Sequence, residues 1–302
     1  MIVILAGGTG SVKLVRGMAA ITDDIAVISN VSDNIWLHGL YVCPDIDTIT
    51  YSLAGMLDKK KGWGVSGDTF SGLEQMKKMG QESWFRLGDK DIALHIFRTE
   101  LLKEGKSLSD VSDMVRRRLG IKAQIIPATD DSLQTMVLTD KGKMHLQEFW
   151  VREKGKPSVK SVSFEGLENA KASRIAIDAI RKAERIIVAP ANPISSIGPI
   201  IALSEIRKEI SKVKQKVVAV SPIIGRSAVS GPALKYMKAM EVENSPVGVA
   251  RYYSDFLGTM IISKTDSRMA SQIEKMGIRT LQTNIMMHNR KDEIRLARYL
   301  LK

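Results

Sequence analysis

The first 30 residues constrain the fold most. Residues 2–5 form an uninterrupted apolar run, the pattern of a parallel strand buried on both faces. The run passes into Gly7-Gly8-Thr9-Gly10, after which Val12, Val15, Met18 and Ala19 recur on one helical face. Residues 25–29 read as a second strand. Strand, glycine loop, helix and strand in this order open a doubly wound nucleotide fold, whose ligands bind beyond the carboxyl ends of the strands. The alternation returns late in the chain. Strands are expected over 185–189, 216–220, 258–263 and 278–282, with helices over 200–210, 231–240, 267–275 and 291–300.

The middle has a different pattern. Three consecutive helices are expected over 69–80, 91–103 and 108–119, then strands over 123–126, 134–138, 144–150 and 158–164. Turn-forming Thr139-Asp140-Lys141-Gly142 and Lys154-Gly155-Lys156-Pro157 join the later ones. The expected fold is therefore α/β: a Rossmann-like core, with a mostly parallel sheet and helices on both faces, over residues 1–60 and 165–302. Residues 61–164 are expected as an inserted helical and β-meander subdomain, serving as a lid or side wall.

Composition narrows the function. The single cysteine, Cys43, excludes an internal disulfide and suits a reducing compartment. No apolar run approaches the roughly 20 residues that span a membrane, so a cytoplasmic protein without membrane contact is expected. The net charge, 45 − 33 = +12, favours anionic partners. Its densest runs, Lys59-Lys60-Lys61 and Arg116-Arg117-Arg118, read as a loop and a helix end rather than a nucleic-acid stripe. A small phosphorylated ligand is the expected partner, and nucleic acid is not.

Five segments could serve such a ligand. In the first, Gly8 and Gly10 let backbone approach a phosphate at a helix N-terminus, with Thr9, Ser11 and Lys13 as added donors; an unliganded tight turn is the plain alternative. The second carries Asn30, Asp33 and Asn34, then Asp45 and Asp47 in Pro44-Asp45-Ile46-Asp47-Thr48. Its carboxylates suit Mg²⁺ bridged to substrate phosphates, with Asp33 and Asp45 as ligands, although one Asp alone would cap a helix. The third places Trp84, Arg86 and Lys90 where a flat heterocycle could stack, or where two helices simply meet. The fourth, with Asn192, Ser195, Ser196 and Gly198, and the fifth, with Ser221, Gly225 and Arg226, repeat a Gly/Ser/Pro loop after later strands. Three such loops at strand ends weigh more than any one. The four histidines, His38, His95, His145 and His288, have no metal-ligand spacing, and no nucleophile elbow is present.

In combination these segments resemble the 2-phospho-L-lactate transferases of deazaflavin coenzyme biosynthesis. The resemblance rests on GGTG at Gly7, NVSDNIWLHG at Asn30, CPDIDTITY at Cys43, WFRLGDKD at Trp84, PATDD at Pro127, NPISSIG at Asn192 and SPIIG at Ser221. It implies transfer of a phospholactyl group, or an enolpyruvate-derived analogue, from a guanosine diphosphate-activated donor to the deazaflavin FO, with Mg²⁺ and a homodimer. It implies that Asp45 touches the ribityl hydroxyl or the metal, and that Asp33 and Asp47 complete the acidic set. Trp84, Arg86 and Lys90 would lie along the deazaflavin. Thr9 and Lys13 would face the diphosphate, with Asn192, Ser195 and Ser196 at the guanosine diphosphate end and the segment from Ser221 to Arg226 beside them. The family's first loop commonly reads GGTGG; Ser11 stands at its fifth position here and is expected to cap the helix. A nucleotide-binding regulator resembling the gluconeogenesis factors stays open as an alternative. A dinucleotide oxidoreductase would require a complete glycine fingerprint.

Overall fold

A strand buried on both sides needs a helical layer on each, and the chain builds both layers. The computed structural model describes residues 1–229 and 233–302. It opens with β1 (Ile2–Ala6), α1 (Gly8–Ala19) and β2 (Ile25–Ser29). A hairpin of β3 (Ile35–Leu37) and β4 (Leu40–Val42) leads into α2 (Pro44–Leu53). Its two-residue turn, His38-Gly39, has φ of 51° and 75°, the positive pair that matches hairpin twist. Next come α3 (Ser71–Lys78), α4 (Asp89–Lys103), α5 (Leu108–Arg118) and β5 (Gln124–Pro127). A meander follows: β6 (Gln134–Thr139), β7 (Gly142–His145), one π turn over Glu148–Arg152, and β8 (Val159–Glu165). Then α6 (Arg174–Lys182), β9 (Arg185–Val188), α7 (Gly198–Ala202), α8 (Ser204–Lys212) and β10 (Val217–Val220) alternate. A short ladder of β11 (Ile223–Ile224) and β12 (Ser227–Ala228) precedes α9 (Ala233–Ala239) and α10 (Pro246–Tyr252). The chain closes with β13 (Thr259–Ser263), α11 (Ala270–Glu274), β14 (Arg279–Thr283) and α12 (Arg290–Leu300).

The central sheet runs β14-β13-β10-β9-β1-β2-β5, and its pairings are all parallel. Alternation along β1 feeds two cores. Val3 and Leu5 enter one, with Ile186, Ile200 and Tyr236; Ile4 enters the other, with Leu14, Ile49 and Leu296. Each such side chain contributes about 1.5–3 kcal/mol on burial. In the second layer α1 packs on α12 at Gly17, where an added Cβ would lie 2.5 Å from the Glu293 carbonyl oxygen. Arg16 pairs with the buried Glu293 beside that crossing.

Three expectations need correction, and a fourth falls partly outside the described residues. The strand expected at 123–126 is not part of the meander; β5 lies in the central sheet beside β2, register Val27 to Ile125. Ile125 and Ile126 are both buried, as a parallel strand requires, so α2 to α5 form the crossover between β2 and β5. The strand expected over 144–150 stops at His145, where the Glu148 carboxylate accepts the His145 N–H at 3.1 Å and the chain winds into the π turn. The helix expected over 200–210 is two helices, because Leu203 has extended backbone (φ −63°, ψ 113°). The helix expected over 231–240 is seen from Ala233; Gly231 lies outside the described residues.

Candidate active site

Sequence neighbours part company at β1, since β2 lies on one side of it and β9 on the other. Such a switch point leaves a crevice at the carboxyl ends of the strands. The loops after β1, β2 and β9 close on one another there. A Cβ on Gly7 would lie 2.8 Å from the Ser196 carbonyl oxygen, 2.9 Å from Asn30 Cβ and 3.0 Å from Asp45 Oδ2. Only glycine fits between three loops so packed. Ser11 is not the helix cap expected of it: α1 starts at Gly8, and the Ser11 hydroxyl donates back to the carbonyls of Gly7 (3.0 Å) and Gly8 (2.9 Å).

Asn30 organises the acidic floor. Its amide donates to Asp45 Oδ2 at 3.0 Å, and its carbonyl oxygen accepts the Ser32 N–H at 3.0 Å and the Ser32 hydroxyl at 2.8 Å. Ser32 also lies 3.3 Å from Asp33 Oδ1 and 2.6 Å from the Thr135 hydroxyl. Burial pushes the Asp45 carboxyl up to about 6; the Asn30 amide and the Gly8 N–H oppose the rise, and the charge of Asp47 adds to it. Burial, then the charge of Asp45, holds Asp33 well above the usual carboxylate range.

A second buried layer lies beneath, absent from the sequence reading. Asp91, His95 and Arg98 fall on one face of α4. Arg98 makes a two-pronged ion pair with Asp47, one arm at 3.1 Å, and donates to the Tyr41 carbonyl at 3.1 Å. His95 stands between Asp47 (3.6 Å) and Asp91 (3.3 Å), and the Tyr51 hydroxyl donates to Asp91. Burial opposes a charged Asp91, but the contacts of His95 and Tyr51 prevail and lower it. The spacing 91, 95, 98 was visible in the sequence as a helical polar stripe; its partner Asp47 was not. Asp47 is tied to this layer as well as bordering the site.

These loops surround a cavity of about 900 Å³. Of the candidate residues, Gly8, Thr9, Gly10, Asp33, Asp45, Asp47, Trp84, Arg86, Asn192, Ser195 and Ser196 line it. Asn192 uses its carbonyl oxygen to hold the loop, accepting from Ile194 (3.0 Å) and Ser195 (3.3 Å), which leaves its buried amide nitrogen without a protein partner among the described residues. Tyr51, Trp63, Gln147, Trp150, Lys154 and Tyr236 also line the cavity and were not foreseen. Tyr51 ends the CPDIDTITY segment and could have been found there, whereas the others come from distant segments with no motif to mark them.

Other expected residues lie elsewhere. Lys13 points from α1 to the loop before α12, donating to the Met287 carbonyl at 2.8 Å, so it does not face the cavity. Lys90 ties down the Gly67 carbonyl at 3.0 Å. The amide of Asn34 donates to the Tyr41 hydroxyl at 3.2 Å. Gly198 is a packing glycine, with Pro193 and Phe164 3.1 and 3.2 Å from an added Cβ. In the fifth loop, Ser221 donates to the Ile223 carbonyl and the Gly225 N–H to Asp266. Neither these two nor the exposed Arg226 lines the cavity.

Together, a parallel sheet with a switch-point crevice and paired buried carboxylates define an α/β protein with a ligand-binding site at the carboxyl ends of its strands. Residues 2–297 match the family model described as 2-phospho-L-lactate transferase CofD. Curated relatives named 2-phospho-L-lactate transferase include those of Methanosarcina mazei (38% identical, 99% of each chain), Methanopyrus kandleri (41%, 99% of this chain and 96% of the relative) and Methanocaldococcus jannaschii (41%, 100% and 97%). The chain belongs to the 2-phospho-L-lactate transferase family and is a transferase. A solved Bacillus halodurans protein of the UPF0052 family shares the fold, with TM-score 0.65 at 15% identity over 100% of this chain and 99% of that one. Among the described residues, no helix is long and apolar enough to cross a membrane.

Proposed function

We propose that the chain transfers a 2-phospholactyl group, or its enolpyruvyl phosphate counterpart, to the deazaflavin FO. The donor is a guanosine diphosphate-activated form of that acid. The terminal ribityl hydroxyl of FO attacks the phosphorus that bears the acid. A P–O bond to FO forms, the P–O bond to GMP breaks, and the product is the precursor of coenzyme F-420. The family's name supports the reaction class. The observation that carries the reading at the site is the pair Asp33 and Asp45, buried, joined through Asn30 and Ser32 and set against an aromatic wall that includes Trp84.

In this reading Asp45 accepts the hydroxyl proton. A carboxyl held near 6 is mostly ionised at neutral pH yet basic enough to take a proton. Asp47, fixed by Arg98, keeps the start of α2 and therefore Asp45 in place. Trp84 and Arg86 border the deazaflavin, and Asn192, Ser195 and Ser196 border the donor's phosphates. Among the described residues, no three or more acidic, histidine or cysteine side chains are arranged so that they could hold a metal ion by themselves. Asp33 fits as a ligand to Mg²⁺, which commonly takes one or two carboxylates and completes its shell with water and substrate phosphates, and Asp45 fits as a second ligand in place of acting as the base. When bound, the cation neutralises charge on the transferred phosphoryl group. The working form proposed is a homodimer in the cytoplasm.

The test is turnover: purified protein with FO, donor and Mg²⁺, following GMP and the new phosphodiester together. One GMP per phosphodiester is expected, with Asp45→Asn slowing turnover by about 100-fold or more, within the range set by general-base removal. A wild-type protein that binds nucleotide but neither binds nor consumes FO would support the regulator instead.

A further inference from the structure

The cavity is predominantly acidic. Asp33, Asp45, Asp47 and Asp91 line it, against two cations, Arg86 and Lys154. The Arg86 guanidinium lies over the Phe70 ring, 4.2 Å from its centroid. Lys154 lies just beyond the π turn, a rare element that often marks functional sites. Its charged neighbours are occupied elsewhere, Glu153 by Lys141 at 2.7 Å and Arg152 by Glu82 at 2.6 Å. Among the described residues no carboxylate is within ion-pair distance of Lys154.

Its backbone is held in an unfavourable conformation. Lys154 has φ 56° and Gly155 φ 62°, a left-handed pair that only the second residue adopts without cost. Three contacts hold it there. The Gly155 N–H donates to the Phe149 carbonyl at 2.8 Å, and Lys235 donates to the Gly155 carbonyl at 2.5 Å. The Trp150 ring lies over Gly155, where an added Cβ would be 2.9 Å from Cζ3. Strain of this kind persists when the surroundings over-determine it, and it gathers at binding sites. Lys154 is exposed and borders a cavity whose other charged lining residues are four aspartates and Arg86.

We propose that Lys154 is the phosphate-contacting cation of this cavity and binds the diphosphate of the nucleotide donor. This rests on the transferase reading above. An ammonium on a phosphate oxygen forms a charge-assisted hydrogen bond, and the acidic floor gives a dianionic ligand nothing comparable.

The experiment compares full-length wild type, Lys154→Asn and Lys154→Arg, because asparagine tolerates the left-handed conformation. Affinities for GDP, guanosine and FO are measured separately by titration, alongside thermal unfolding. Lys154→Asn is expected to weaken GDP about tenfold, as loss of one charged hydrogen bond implies, with guanosine and FO unchanged and Lys154→Arg close to wild type. Unchanged GDP affinity in Lys154→Asn, or equal loss for guanosine, would overturn the proposal. A wild type that binds neither FO nor GDP would instead remove the transferase reading. Should Lys154→Asn fail to fold, Lys154→Gly removes the same charge while relieving the strain, and the same outcomes apply.

Discussion

Asp45 sits where backbone, amide and burial act on one carboxyl. Its folded value near 6 exceeds the roughly 3.9 of a free aspartate, so the folded state holds its proton more tightly than the unfolded one. That contribution to stability is fully present below about pH 4 and is lost as pH rises through about 6. Metal-free Asp45→Asn is therefore expected to be more stable than wild type, with the gap opening between about pH 4 and about 6 and level above. Urea titrations across that window would check it, and a pH-independent gap would contradict it. Arg98 is the opposite case, a buried cation whose burial penalty is outweighed by Asp47. Arg98→Met leaves Asp47 uncompensated and is expected to cost about 3–5 kcal/mol in chemical denaturation; a loss below 1 kcal/mol would mean water replaces the pair. The acidic residues were legible because they follow a strand that reads plainly as one. Lys13 and Lys90 were misplaced because sequence proximity to a loop does not say which way a helix turns its side chains.

The elements show why register and crossing were harder to read than element type. Residues 123–126 read as a strand from their apolar run, but nothing local says that β5 pairs with β2 rather than β6. That choice is made by the helices crossing between them. The π turn after His145 was hidden because Leu146, Phe149 and Trp150 fall at the i, i+3, i+4 spacing of a helical face over a segment too short to be told from an apolar strand. The α1–α12 crossing was equally silent, since Gly17 reads only as a weak point in a helix. Gly17→Ala would gain about 1 kcal/mol in helix propensity. Its Cβ would, however, meet Glu293 backbone at 2.5 Å, and overpacking of this sort costs about 1–3 kcal/mol or more. A lower melting temperature with near-normal activity at low temperature is the expected outcome, and a higher one would mean that α12 shifts without penalty.

At the scale of the molecule, the parallel α/β class was plain from the alternation at both ends of the chain. The strand order was not, because it is set by which crossovers pass over which face. Three loops that lie far apart in sequence meet only because β1 is flanked by β2 and β9. The fifth loop follows β10, one strand further out, and so misses the cavity. The most direct test of the function is binding of FO, followed by quenching of its own fluorescence, with and without GDP and Mg²⁺. Micromolar binding that GDP or Mg²⁺ alters is expected, because the proposed function puts deazaflavin, nucleotide and metal in one crevice. Nucleotide binding without any binding of FO would contradict that placement and leave a nucleotide-binding α/β protein without the proposed chemistry.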